Sequence, residues 1–227
     1  MNSKVQTFAR RALWALPVWA AMLFLGTLEH QPDPLTDFAG FAEFITTSRF
    51  LWSHLINSIL GAAIGSIGVI GLMLYLQDTR VVGKAITAMV CMVMSNSINT
   101  SIFGVAAFAQ PAMGRLYLTG QQNASEFYQQ TYSAPLFVTA LAAIILFIAG
   151  GVYTGIAVTR SGRFPRWTGW VIALSVVGFV LSGLFFFQGQ NLTSALLTIA
   201  TLSVAWHASR EGGRQAGQAE IAAEVSD

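Results

Sequence analysis

Hydrophobic positions along this chain collect into six long stretches, over residues 12–28, 51–76, 85–110, 134–158, 167–187 and 192–207, and none contains Asp, Glu, Lys or Arg. A hydrocarbon core about 30 Å thick is crossed by roughly 20 residues of helix, so each stretch approaches or meets the length of a membrane span. The pattern predicts an all-α fold: a polytopic bundle of six transmembrane helices within residues 1–208, then a flexible or weakly helical cytoplasmic tail over 209–227. The second stretch is long and the sixth short, which predicts unequal tilts.

The polar breaks are of two kinds. Those over 77–84 and 159–166 are short and basic, whereas those over 29–50 and 111–133 are long. Within the first long break Pro32 and Pro34 interrupt the chain. Leu35, Phe38, Phe41, Phe44 and Ile45 then recur at helical spacing opposite Asp37 and Glu43, which predicts a short interfacial helix over about 36–47 that either caps the bundle or gates access to it.

Charge fixes the expected orientation. With the N-terminus inside, ten of the twelve Lys and Arg residues fall on the inner side, and only Arg49 and Arg115 fall outside. Translocating Lys and Arg close to a span is disfavoured, so both termini are expected in the cytoplasm and the bundle in a bacterial inner (plasma) membrane. The basic start and the apolar run from Ala12 also suit a signal peptide. No small-x-small site follows Leu25 and Gly26, so an uncleaved first span is expected.

Composition agrees with lipid as the solvent. The chain is 54% hydrophobic and 10% charged, where soluble domains carry about 25% charged residues. A net charge of +2 from scattered basic residues argues against a nucleic-acid partner. The expected partners are the bilayer and a membrane-protein partner or a second copy of the chain. The lone Cys91 can form no intrachain disulfide.

Against this background the most informative feature is a polar run in the third stretch: Ser95, Asn96, Ser97, Asn99, Thr100 and Ser101. Hydrocarbon offers amides and hydroxyls no hydrogen bonds, so these groups need neighbouring helices, cavity water or a ligand. Ser95 and Asn99 share one helical face and Asn96 and Thr100 the next, so partners must come from at least two other spans or from water. Asn57 in the second span and Thr198 in the sixth are the further polar groups of interest, with Thr198 nearest in depth. Ser95, Asn96, Asn99, Thr100, Asn57 and Thr198 are therefore the candidate ligand-binding set. Interhelical hydrogen bonding, at about 0.6 kcal/mol per contact, is the competing account of the same residues.

Other features read as packing or anchoring. Gly61, Gly65, Gly68 and Gly71 let helix backbones approach closely. Phe185, Phe186 and Phe187 and most of the tryptophans sit near span ends as interfacial anchors. A metal or haem site would have to rest on His30 and His54, which fall at the outer ends of the first two spans without a further ligand motif. No cofactor is expected, haem being the alternative.

The segment Ser161-Gly162-Arg163-Phe164-Pro165-Arg166-Trp167-Thr168-Gly169-Trp170 resembles one common in bacterial six-span membrane proteins of unknown function. The resemblance covers ten residues and brings no site residues with it. Zinc-protease, serine-hydrolase and phosphate-loop motifs are absent, and so are intramembrane Asp, Glu, Lys and Arg. The expectation is a non-enzymatic protein, either an accessory subunit or a binder of a small apolar or neutral ligand. A channel or facilitator for a neutral solute is the first alternative, and a haem- or quinone-binding oxidoreductase subunit the second.

Overall fold

The computed structural model describes the backbone of residues 3–28, 31–121, 123–185 and 188–226, and side chains from Lys4 to Glu211. His30, Phe186 and Phe187 lie outside the described residues. Ten α-helices are present among those described: α1 (Ser3–Ala12), α2 (Ala15–Gly26), α3 (Phe38–Ile45), α4 (Ser48–Trp52), α5 (Gly61–Tyr75), α6 (Val82–Leu118), α7 (Ala124–Thr131), α8 (Ala134–Arg160), α9 (Arg166–Phe185) and α10 (Gln188–Ser226). A π-helical stretch, Ser53–Leu60, joins α4 to α5. Six of the resulting helical units are long and apolar enough to cross a membrane by length and composition: Lys4–Gly26, Ser48–Tyr75, Val82–Leu118, Ala134–Arg160, Arg166–Phe185 and Gln188–Glu211.

The six spans pack in sequence order into a closed ring: α2 on α5, α5 on α6, α6 on α8, α8 on α9, α9 on α10, and α10 back on α2. Short connections and alternating direction favour such neighbour-on-neighbour bundles. The outward surface is apolar, with Leu174 and Phe137 each 68% exposed, Leu184 65% and Ile145 58%. Exposed apolar area of this extent suits lipid rather than water.

Small residues set the helix spacing. A Cβ on Gly68 would lie 2.7 Å from Leu16 Cδ2 and 2.9 Å from the Leu16 backbone nitrogen, so the glycine repeat is spent on packing the second span against the first. At the α8–α9 contact a Cβ on Gly155 would come within 2.4 Å of the Gly169 carbonyl oxygen. Inside the ring, toward the chain termini, Leu13, Leu16, Leu72, Leu76, Met92, Val158, Ile172, Val176 and Leu197 are almost fully buried and leave that half filled.

Three helices extend further than hydrophobicity predicts. The first begins at Ser3, well before Ala12. The chain stays helical from Gln188 to Ser226, past the end of the sixth apolar stretch at 207, in keeping with the helix-favouring Ala and Glu of that segment. The third span continues through Pro111 to Leu118 instead of stopping at Gln110. Pro111 forfeits one backbone hydrogen bond, but tertiary packing holds the extension. Gly114 approaches the Ala42 carbonyl of α3 so closely that a Cβ there would lie 2.9 Å from it. Phe38 meets Tyr117 at 4.9 Å, Phe41 meets Tyr128 at 5.1 Å, and Tyr128 stacks on Tyr132 at 4.5 Å between ring centroids. The predicted helix after Pro34 thus caps this loop end through an aromatic cluster, with Phe41, Ala42 and Ile45 buried.

Candidate functional site

Two of the ring's neighbours accept hydrogen bonds from Ser95 and Asn96 of the polar run in the third span. Ser95, fully buried, donates its hydroxyl to the Ala143 carbonyl of α8 at 2.8 Å. Asn96 donates its side-chain amide to Ser66 Oγ of α5 at 3.1 Å, and Ser66 passes a hydrogen bond to the Ala62 carbonyl at 3.0 Å. Asn99 donates to Ser95 Oγ at 3.2 Å, which extends the chain Asn99–Ser95–Ala143. Ser97, Thr100 and Ser101 turn back to the carbonyls of Val93, Asn96 and Ser97 on their own helix. Such local bonds satisfy a hydroxyl in lipid without a second helix.

The ring holds a partly open cavity of about 180 Å³, lined by residues of α2, the π-helical stretch, α5, α6, α8 and α9. Its polar wall is Asn57, Ser58, Asn96 and Asn99, and its apolar wall includes Trp19, Phe103, Phe147 and Phe179. On α6 the cavity face is Asn96, Asn99 and Phe103, spaced i, i+3, i+7 as one side of a helix requires. The i→i+5 pattern of the π-helical stretch brings positions four and five apart to one side, which carries Asn57 and Ser58 to the cavity. π-helical turns recur at functional sites.

The amides share one arrangement. The Asn57 side-chain nitrogen donates to Ser53 Oγ at 3.4 Å, as those of Asn96 and Asn99 donate to Ser66 and Ser95. Among the described residues no hydrogen bond ends on the Oδ1 of Asn57, Asn96 or Asn99. Among the described residues the cavity lining therefore offers acceptors, no charged side chain, and aromatic walls.

An outer chamber of about 330 Å³ shares Leu23, Asn57, Ser58, Phe103 and Phe179 with the cavity and continues toward the loop end past His54, Thr27 and Gln31. His54 Nδ1 sits 3.0 Å from the Phe50 carbonyl. The ring of His54 lies 4.1 Å from that of Phe50.

The structure brings Asn57, Asn96 and Asn99 together at one cavity and leaves three predicted residues outside its lining. Ser95 is directed to α8, Thr100 to Asn96 O, and Thr198 to the Ser194 carbonyl at 2.8 Å. Depth alone favoured Thr198 over Asn57. The cavity instead extends toward the loop end, where the π-helical stretch lies. Ser58 and Ser66 were not anticipated, because a serine inside a glycine-rich span reads as another small packing residue. Among the described residues no group of three or more His, Cys, Asp or Glu stands in metal-binding proximity.

The chain matches no known protein family, no curated protein and no solved structure at a significant level.

Proposed function

We propose that this protein is a multi-pass protein of the cell's inner (plasma) membrane that binds a small neutral molecule between Asn57, Asn96 and Asn99. The carrying observation is the meeting of three side-chain amides at one cavity, each with its nitrogen held by a serine and its oxygen unengaged. Acceptors held in place by their own donor ends suit a ligand that brings an O–H or N–H group. The aromatic walls suit an apolar body. A dry cavity of about 150 Å³ accommodates benzene, so one of about 180 Å³ suits a substituted ring of similar size.

Entry is from the loop end, through the outer chamber. The filled half of the ring beyond Trp19 and Met92 favours binding over passage. The concentration of cations at the terminus-bearing end supports placing that end in the cytoplasm. On this reading the role is that of a binding or accessory protein, and among the described residues the cavity wall itself holds no ionisable side chain.

The test is a pair of probes of one shape, 4-fluorophenol and fluorobenzene, titrated by fluorine NMR against detergent-matched blanks. A neutral hydrogen bond contributes about 0.5–1.5 kcal/mol, so the phenol should bind roughly three- to tenfold more tightly. Asn96→Leu and Asn99→Leu should remove that preference while fluorobenzene still binds. Equal binding of the two probes to the native protein would defeat the proposal, and solute flux in proteoliposomes would replace binding with passage.

A further inference from the structure

At the end of the bundle that carries the termini, a groove of about 740 Å³ lies between the α5–α6 turn, the start of α6, the end of α8 and the start of α9. Arg80, Lys84, Arg160 and Arg166 line it together with Trp170. The four cations come from the two short basic breaks, Arg80 and Lys84 from one and Arg160 and Arg166 from the other, which the packing of α6 on α8 sets side by side. Among the described residues none of their side chains makes a hydrogen bond or an ion pair. Among the described residues no carboxylate lines the groove. Asp78, in the same turn as Arg80, is exposed and stands outside the lining, and Glu211 at this end is engaged by the Tyr75 hydroxyl.

Four like charges around one hollow repel one another unless an anion sits among them. Both α6 and α9 also begin here, and their N-terminal N–H groups add partial positive charge. Segregation of basic residues to one side of a membrane requires cations at this end. It does not require them to surround a single groove with an indole in its wall.

We infer that this groove holds the phosphate headgroup of an anionic phospholipid. The choice of lipid over a dissolved anion rests on what adjoins the cations. Trp170, 61% exposed, opens a stripe along α9 formed with Leu174 at 68%, Leu181 at 45% and Phe185 at 76%. Spacings of 4, 11 and 15 residues from Trp170 keep these on one helical face. The stripe leads away from the basic groove along the span, so a phosphate among the cations would have an apolar track for its acyl chains. Basic pockets between spans select anionic headgroups by this combination. The inference rests on the chain being membrane-embedded and is independent of any ligand in the asparagine cavity.

The experiment is native mass spectrometry of the full-length protein in detergent, with cardiolipin and phosphatidylcholine added in equal amounts. The native protein should retain cardiolipin in preference to phosphatidylcholine. Arg160→Gln with Arg166→Gln should weaken cardiolipin retention about thirtyfold, at roughly one decade or less per removed charge near the surface. Arg115→Gln, which removes a charge at the opposite end, should leave it unchanged. Lys84→Gln alone should weaken retention by about fivefold and reads the same groove where the double variant does not purify. Equal retention in the groove variants and in Arg115→Gln would overturn the inference. So would displacement of cardiolipin by millimolar inorganic phosphate, which would assign the groove to a soluble anion.

Discussion

The side-chain amide of Asn96 on the third span donates to Ser66 Oγ on the second at 3.1 Å, across thirty residues of sequence, and leaves its own oxygen at the cavity. One residue thereby serves packing and site at once. A double-mutant cycle between Asn96→Ala and Ser66→Ala should give a coupling of about 0.6 kcal/mol, near the average for hydrogen bonds between spans. Thermal unfolding in detergent reads it. Additive effects of the two changes would mean that the pair contributes nothing to holding the helices together.

Close backbone approach makes the glycines unequal. Gly155→Ala places a methyl group 2.4 Å from the Gly169 carbonyl oxygen, which α8 and α9 can relieve only by separating. Overpacking of this kind costs about 1–3 kcal/mol, so the melting temperature should fall by several degrees. Gly104 is also inside a helix, yet a Cβ there meets nothing within 4 Å. Gly104→Ala should stabilise by about 0.5–1 kcal/mol, because alanine loses less conformational freedom in a helix. Opposite signs in the same melting assay are the expected outcome.

Six spans were legible because hydrophobicity is a property of each segment alone. The candidate site was legible in part for the same reason: Asn57, Asn96 and Asn99 are conspicuous in apolar surroundings. What could not be read was the choice of face. Whether Thr198 turns to a cavity or to the carbonyl four residues back is decided by neighbours, and in this fold it turns back to Ser194. The π-helical stretch carries no evident local signature, yet it brings Asn57 and Ser58 to the lining. Likewise Pro111 reads locally as a helix stop, and only the packing of α3 against Gly114 explains why the helix passes through it.

The aromatic cap should show itself in alkaline titration. Burial pushes the Tyr132 phenol up to about 12, with a smaller upward contribution from Tyr128 and a downward one from the Gln110 hydrogen bond. Burial also raises Tyr128, followed by the nearby Asp33 carboxylate. The folded state then keeps protons that the unfolded chain releases near pH 10, so stability contributed by these phenols is complete below pH 10 and declines from there toward 12. Tyrosinate absorbance of the folded protein should lag that of the denatured chain over this interval. Tyr132→Phe should remove part of the lag, and an unchanged difference curve would show that Tyr132 titrates freely.

At the terminus-bearing end, Tyr75 ties the last helix to the bundle. Its hydroxyl donates to the Glu211 carboxylate, and the Arg163 guanidinium lies 4.9 Å from the centre of its ring while donating to its backbone carbonyl. Tyr75 is itself 5% exposed at the end of α5, so the contact joins a fixed residue to the helix that continues to Ser226. Tyr75→Phe keeps the ring and its cation contact and removes only the hydroxyl. Local opening of α10 beyond Ala208 should then become easier by about 1 kcal/mol, which is roughly fivefold in the open population. Limited trypsin digestion after Arg210 and Arg214 reports that population directly, and the cleavage rate should rise by the same factor. In sealed vesicles the same cleavage locates the C-terminus. It should proceed only in inverted vesicles if the cations at this end face the cytoplasm, and cleavage in right-side-out vesicles would reverse the proposed orientation.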